Sequence, residues 1–496
     1  MDEGFPTEIR FEIGKRPNDT TAGLLIAVVQ KARGIGFFET LSGGLNLKMK
    51  VYDYSHQNKI EAVVAGLAVG CRHINEMQTK LVPDTVAAGL FGMVRFPDQA
   101  QINAFLRRCG AEQAAHLEQA HERLLIANSY AGERTRWLQL ADGQRMLPVD
   151  WDQTSLVTRS LRATGTAHGC FGHKRGKLGY KKTVALLGQD VKEVLWLRLE
   201  AGNTAAQEAA PLILEKMVAF GKAKGIAPGE MLVRGDSQYG NVGVIRQVEA
   251  AGFHYLFKGA NYDTARFLAE HLDCRAVWTY VGEDSNGSRV WVVDAGKVEL
   301  HGHDDRAGTP AVKTRVVLLV RVAFRARKKR GCGAPDCVME KVVRYEHLVT
   351  DLPADALPVD WGAPAEVGLG RLALDVYNDR ETEESFFRAE QDGFGAQYLR
   401  THKGEGEAAF LWLLASTANL LRWVQCDTFR GTQLEKIGLA KLVSQAMHIP
   451  ATIIRESQRW IVLLPETARL VCQLVSAWVE RTCQLRLPFF PPEYST

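Results

Sequence analysis

The strongest constraint on the fold is a change of hydrophobic period near residue 145. Upstream of it, apolar residues recur at helical spacing in "DTTAGLLIAVVQKARG", "NKIEAVVAGLAVGC", "VPDTVAAGLFGM" and "PDQAQINAFLRRC". Asp19 or Thr20 is the expected cap of the first helix and Gly34 its stop. From Arg145, "RMLPVDWDQT" alternates as a strand does, and "KTVALLGQ" and "EVLWLRLEAG" follow as two more. Then come a helix, "TAAQEAAPLILEKMVAFGKAKG", interrupted by Pro211, the strand "EMLVRGD", the helix "GNVGVIRQVEAAG" and the strand "HYLFKG". Three sequential strands form an antiparallel meander, whereas strands separated by helices cross over in parallel. The fold class is therefore α/β, a mixed sheet flanked by helices.

Beyond this core the character changes twice. Four β-rich runs, "RAVWTYVG", "SRVWVVDAGKVEL", "TRVVLLVRVAF" and "VVRYEHLVTDL", fill about 275 to 355, with "EDSNGS" as a hairpin turn. After about 365 helices return, first in "DVYNDRETEESFFRAEQDGFG" and then in the apolar stretch Ala408 to Val424. That stretch is shorter than the roughly 20 residues a membrane span needs, so it reads as a buried core helix. A C-terminal segment adds helix, a strand at "RWIVLLP" and another helix. The expected divisions are 1–140 (helical), 141–270 (first part of the α/β core), 271–360 (β-strand insertion), 361–430 (second part of the core) and 431–496 (a small C-terminal region).

Charge points to a polyanionic partner. The 496 residues carry a formal net charge of +4. Two clusters say more than the sum: "GHKRGKLGYKK", with His173, Lys174 and Arg175, and "RVAFRARKKR", with Arg327, Lys328, Lys329 and Arg330. Each alone also fits a solvated face. Nine cysteines without framework spacing, and no basic-then-apolar leader, suit a reducing cytoplasmic setting. Cys332 and Cys337, with His301 and His303 upstream, are too loosely spaced for a structural zinc site. The short N-terminal helices fit either a helix-turn-helix reader of DNA or plain helical packing.

Three carboxylates carry the functional reading. Asp152 closes the first strand, which also holds Asp150; Asp236 closes the fourth, in "VRGDSQYGN"; Glu384 lies on a helix far downstream. If strands one and four are neighbours, the two aspartates sit side by side, and a helix across the sheet brings in Glu384. Converging carboxylates need a cation to stay ionised. Mg²⁺ accepts such oxygens and keeps positions for water and phosphate oxygens. Two such ions would serve an in-line phosphoryl displacement. The competing reading of Asp236 is a helix N-cap. Tyr377, Arg380 and Glu384 are spaced to share one helix face. Arg380 could hold a phosphate or pair with Glu383 or Glu384, and Tyr377 fits a core position as well. Glu381 and Glu383 compete with Glu384.

These motifs resemble those of a DDE transposase of a bacterial insertion sequence, from the branch whose ribonuclease H-like core is interrupted by a β-strand insertion. "DWDQTSL" resembles the first-aspartate motif and favours Asp152 over Asp150; "RGDSQYG" resembles the second. "YNDRETEESFF" resembles the signature Tyr-x-x-Arg-x-x-x-Glu, selecting Tyr377, Arg380 and Glu384. The family's lysine seven residues later is Gln391 here, which puts that DNA contact in question. The resemblance implies two Mg²⁺ ions (Mn²⁺ substituting), cut-and-paste transposition, and double-stranded DNA as partner, both terminal inverted repeats and target. It also implies a homodimer on DNA, with no membrane involved. In relatives a base flips onto an aromatic residue of the insertion, for which Trp278 and Trp291 are the candidates, although a strand tryptophan is usually core. The rivals are a nuclease or resolvase with the same core, and a transposase-derived DNA-binding protein without catalysis.

Overall fold

Proline, glycine and capping side chains decide where the elements begin and end. The computed structural model describes residues 18–48, 53–140, 143–169, 171, 176–273, 276–284, 286–301, 311–328, 337–352, 369–381, 393–456 and 459–464. Its main helices are α1 (Leu25–Gly34), α2 (His56–Ala68), α3 (Gln99–Arg108), α4 (Ala111–Asn128), α5 (Ala210–Lys224), α6 (Val242–Ala250), α7 (Tyr262–Glu270), α8 (Leu369–Asn378) and α9 (Gly404–Asp427). The main strands are β1 (Arg145–Val157), β2 (Lys177–Leu187), β3 (Glu193–Ala201), β4 (Met231–Gly240), β5 (His254–Gly259), β6 (Thr279–Glu283), β7 (Arg289–Leu300), β8 (Val312–Lys328) and β9 (Cys337–Thr350).

Several boundaries differ from the sequence reading, each for a local reason. Pro211 does not interrupt α5; it lies in its first turn, where a missing N–H costs nothing, and Gly225 ends the helix at φ 67°. Asp19 and Thr20 do not cap α1. They form a two-residue strand against Ala451 and Thr452, and α1 starts at Leu25 without a side-chain cap. The 18-residue helix α4 and the strand Ala451–Glu456 were not separately expected. α8 begins at Leu369, ahead of the expected start at Asp375, and gives way to a 3₁₀ turn at Asp379–Glu381.

These nine strands and two short ones, Leu138–Gln139 and Ala167–Gly169, form one eleven-stranded mixed sheet. β1, β2 and β3 are the expected antiparallel meander, while β4 runs parallel to β1 and β5 parallel to β4. The insertion strands β6 to β9 are mutually antiparallel, and β9 joins the core sheet through Leu348↔Lys258, Val349↔Phe257 and Thr350↔Leu256. Helices flank the sheet, so the fold is the ribonuclease H-like α/β arrangement with a β-rich insertion. α9 packs on β3 and is enclosed by α1, α2, α3 and α4, with apolar residues buried around nearly its whole circumference. It is the core helix expected from its composition, and among the described residues no helix is long and apolar enough to cross a membrane. Polar bonds fix its depth. The Asn419 amide accepts from Val194 N at 2.7 Å and donates to Val194 O at 3.0 Å.

Candidate active site

The site grows out of the pairing of β1 with β4. Their parallel register runs from Leu147↔Met231 to Trp151↔Gly235, so Asp152 and Asp236 are the next residue on each strand. Neighbouring strands lie about 4.8 Å apart, which puts the two half-buried aspartates side by side. β1 does not end at Asp152 as expected. It continues to Val157 on β2, and Asp152 marks where it parts from β4. β4 departs at the same level, because its pairing with β5 skips from Gly235 to Gly240. The skip lets the Tyr239 ring fold over Gly235, where an added Cβ would lie 3.1 Å from Tyr239 and 3.2 Å from Phe257.

Asp236 is not the cap of α6. That role falls to Asn241, whose side chain accepts from Val244 N at 3.1 Å. Asp236 instead accepts from Gln238 N at 2.9 Å, while Asp152 accepts from Gln153 N at 2.7 Å. Two positions back on the same strands the situation is different. Asp150 is fully buried, and Arg234 donates to it from Nε at 2.6 Å and Nη2 at 2.8 Å, with Lys192 Nζ at 2.5 Å. Burial alone would raise the Asp150 pKa, but the Arg234 and Lys192 cations outweigh it and hold the carboxyl below its usual range.

The signature residues approach from α8. Tyr377 lies in its last turn and packs against the core cluster containing Leu232 and Leu256. Arg380 follows in the 3₁₀ turn, with its guanidinium 5.1 Å from the Tyr377 ring centre and Nη1 3.5 Å from Trp151 O. Burial works against the Arg380 charge; Tyr377, Asp152, Asp150 and Asp236 reverse that and raise its pKa. Burial pushes the Tyr377 hydroxyl up to about 12, with Arg380 pulling down and Asp236 and Asp152 pushing up. The structure thus gathers Asp152, Asp236, Tyr377 and Arg380 at one end of the β1–β4 pair.

The donor chemistry suits a hard divalent cation, since two adjacent carboxylates offer oxygen ligands. The Tyr239 hydroxyl nearby is buried without a hydrogen-bond partner among the described residues. Among the described residues no group of three His, Cys, Asp or Glu forms a metal cluster. Glu384, Glu383 and Gln391 lie outside the described residues, as do His173, Lys174, Arg175, Lys329, Arg330, His303 and Cys332. Arg327 and Lys328 end β8, where it pairs only with β9 among the described residues. Trp278 is half-buried against the main core, and Trp291 is half-buried with its ring 5.3 Å from that of Tyr280.

Sequence reasoning missed Arg234, Lys192 and Tyr239. A signal for the first was present: Asp150 and Arg234 each precede a site aspartate by two, a matched pair of opposite charges. A family model described as transposase DDE domain group 1 matches residues 19–480. No curated protein matches the chain.

Proposed function

The chain belongs to the DDE transposase family, transposase DDE domain group 1, and from that premise we propose that it is a metal-dependent, cut-and-paste DNA transposase. In this reading it cleaves DNA at the ends of its element and joins the freed 3′-hydroxyls to target DNA. The observation that carries the reading is the β1–β4 register, which sets Asp152 beside Asp236.

Asp152, Asp236 and Glu384 are the residues that would hold two Mg²⁺ ions, or Mn²⁺ in their place. When bound, the ions supply Lewis-acid activation of the attacking hydroxyl and charge neutralisation at the leaving oxygen. Arg380, kept charged beside the aspartates, holds a phosphate of the scissile strand. Tyr377 supports the Arg380 guanidinium from below. The distal ends of β8 and β9 form a two-stranded ribbon whose Arg327 and Lys328, followed by Lys329 and Arg330, suit a DNA groove. His173, Lys174, Arg175 and Gln391 line the DNA path. Trp278 and Trp291 are the aromatic residues available to an extruded base; their half-burial favours a core role unless the insertion moves. The N-terminal helices bind the terminal repeats, the enzyme acts as a homodimer on double-stranded DNA, and it works at the nucleoid of a bacterial cytoplasm. The domain divisions expected from the sequence are kept in this reading.

The test is cleavage of linear DNA carrying the element's ends, with Mg²⁺ or Mn²⁺. Cutting at the boundary that requires metal, followed by joined products, supports transposition. Cutting without joining selects a nuclease. Specific binding with no cutting under either metal selects a DNA-binding protein.

A further inference from the structure

A single buried guanidinium touches all three elements that build the site. Arg234 is fully buried on β4, two residues before Asp236. Its register partner is Asp150, two residues before Asp152 on β1. Nε and Nη2 form a fork on the Asp150 carboxylate at 2.6 and 2.8 Å. The third nitrogen, Nη1, turns to α8 and donates to Val376 O at 2.9 Å, lying 3.7 Å from the Asp379 carboxylate. Val376 is in the last turn of α8, whose carbonyls have no partner within the helix. It directly precedes Tyr377 and lies four residues before Arg380. Lys192, from the turn before β3, closes the cluster on Asp150.

Stability alone does not account for this arrangement. A buried ion cluster is a poor stabiliser, and packed apolar side chains of similar volume often serve as well or better. What an apolar set cannot do is set direction. The planar fork fixes Arg234 against Asp150 while its remaining nitrogen points at one carbonyl, a geometry that lysine cannot reproduce.

We propose that Arg234, oriented by Asp150 and Lys192, is a positioning residue that fixes the end of α8. It thereby fixes Tyr377 and Arg380 relative to the Asp152–Asp236 pair. The proposal rests on the transposase reading for its catalytic consequence, but not for its structural one. It touches no substrate; it acts through the helix end, where a displacement of about 1 Å costs on the order of a hundredfold in rate.

Hydrogen exchange followed by mass spectrometry on the full-length protein tests the structural claim. In the wild type, the amides at the end of α8 and those of residues 149–151 and 233–235 should share one denaturant dependence of exchange. Separate dependences overturn the proposal without any variant. In Arg234→Lys, exchange across residues 369–381 should rise roughly tenfold or more. Cleavage kcat should fall about ten- to a hundredfold, with KM for the DNA end within about twofold. The triple variant Asp150→Leu, Lys192→Met, Arg234→Met should regain a wild-type Tm and still show the fast exchange and the low kcat. Wild-type exchange in Arg234→Lys, or wild-type kcat in a stably folded triple variant, overturns the proposal. A wild type that never cleaves sinks the transposase reading and leaves the exchange result to decide Arg234.

Discussion

Asp150 and Asp152 stand two residues apart on one strand, and Arg234 and Asp236 stand two apart on its neighbour. The lower pair is buried and closed. Asp150 spends its oxygens on Arg234 and Lys192. The upper pair is half-buried and like-charged; Asp152 accepts from Gln153 N, and Asp236 accepts from Gln238 N and, at 3.4 Å, from Gln238 Nε2. A carboxylate deep in the sheet demands cations from the protein itself. A like-charged pair at the rim can be left for a cation from solution. Glu407 gives a third case. It is buried and accepts from Arg400 N at 2.7 Å and Thr401 N at 3.2 Å through one oxygen, while the other has no partner among the described residues. With no cation bonded to it among the described residues, burial pushes its pKa up to about 7 against the pull of Arg400 and Lys182.

The contrast can be broken in order of effect. Asp236→Ala should lower cleavage by about a thousandfold or more while DNA-end binding, followed by gel shift, stays within about twofold. A variant that still cuts would remove the upper pair from the chemistry. Asp150→Ala should cost about 3–5 kcal/mol of stability in urea unfolding, because two buried cations lose their partner. A loss under about 1 kcal/mol would mean that the lower cluster is not closed as described. Glu407 predicts a pH dependence. Its pKa in the fold lies above the ordinary 4.5, so its contribution is fully present below pH 4.5 and is lost as pH rises towards 7. At about 1.4 kcal/mol per unit, that loss totals roughly 3 kcal/mol. Unfolding of Glu407→Gln at pH 5 and pH 8 should show a smaller difference than wild type. Asp152→Asn should shift stability least, by less than about 0.5 kcal/mol, and a larger loss would make Asp152 a structural residue like Asp150.

The order of strands and helices was legible because each strand carries an alternating or continuous apolar run bounded by turn residues. The aspartates were legible because they interrupt such runs at the end of their parallel pairing. Boundaries governed by distant partners were not. Thr20 looks like a cap until Ala451 pairs with it. Asp236 taken alone reads as a cap of α6, but Asn241, five residues later, is the cap. Arg234 reads as a polar residue in a strand, because Val376, the residue that gives its third nitrogen a purpose, lies 142 positions away.

Asn419 closes its bonds to Val194 across 225 residues. The ribosome therefore releases β3 long before the helix that covers it exists. Until then the apolar faces of β3 and of α1 to α4 wait for α9, as surface that a chaperone would hold. The guanidinium of Arg234 likewise waits for Val376. A nascent chain can pair β1 with β4 early, but the arm that completes the site comes from the last quarter of synthesis. The proposed site is thus incomplete until α8 is made, by nothing more than the order in which its parts arrive.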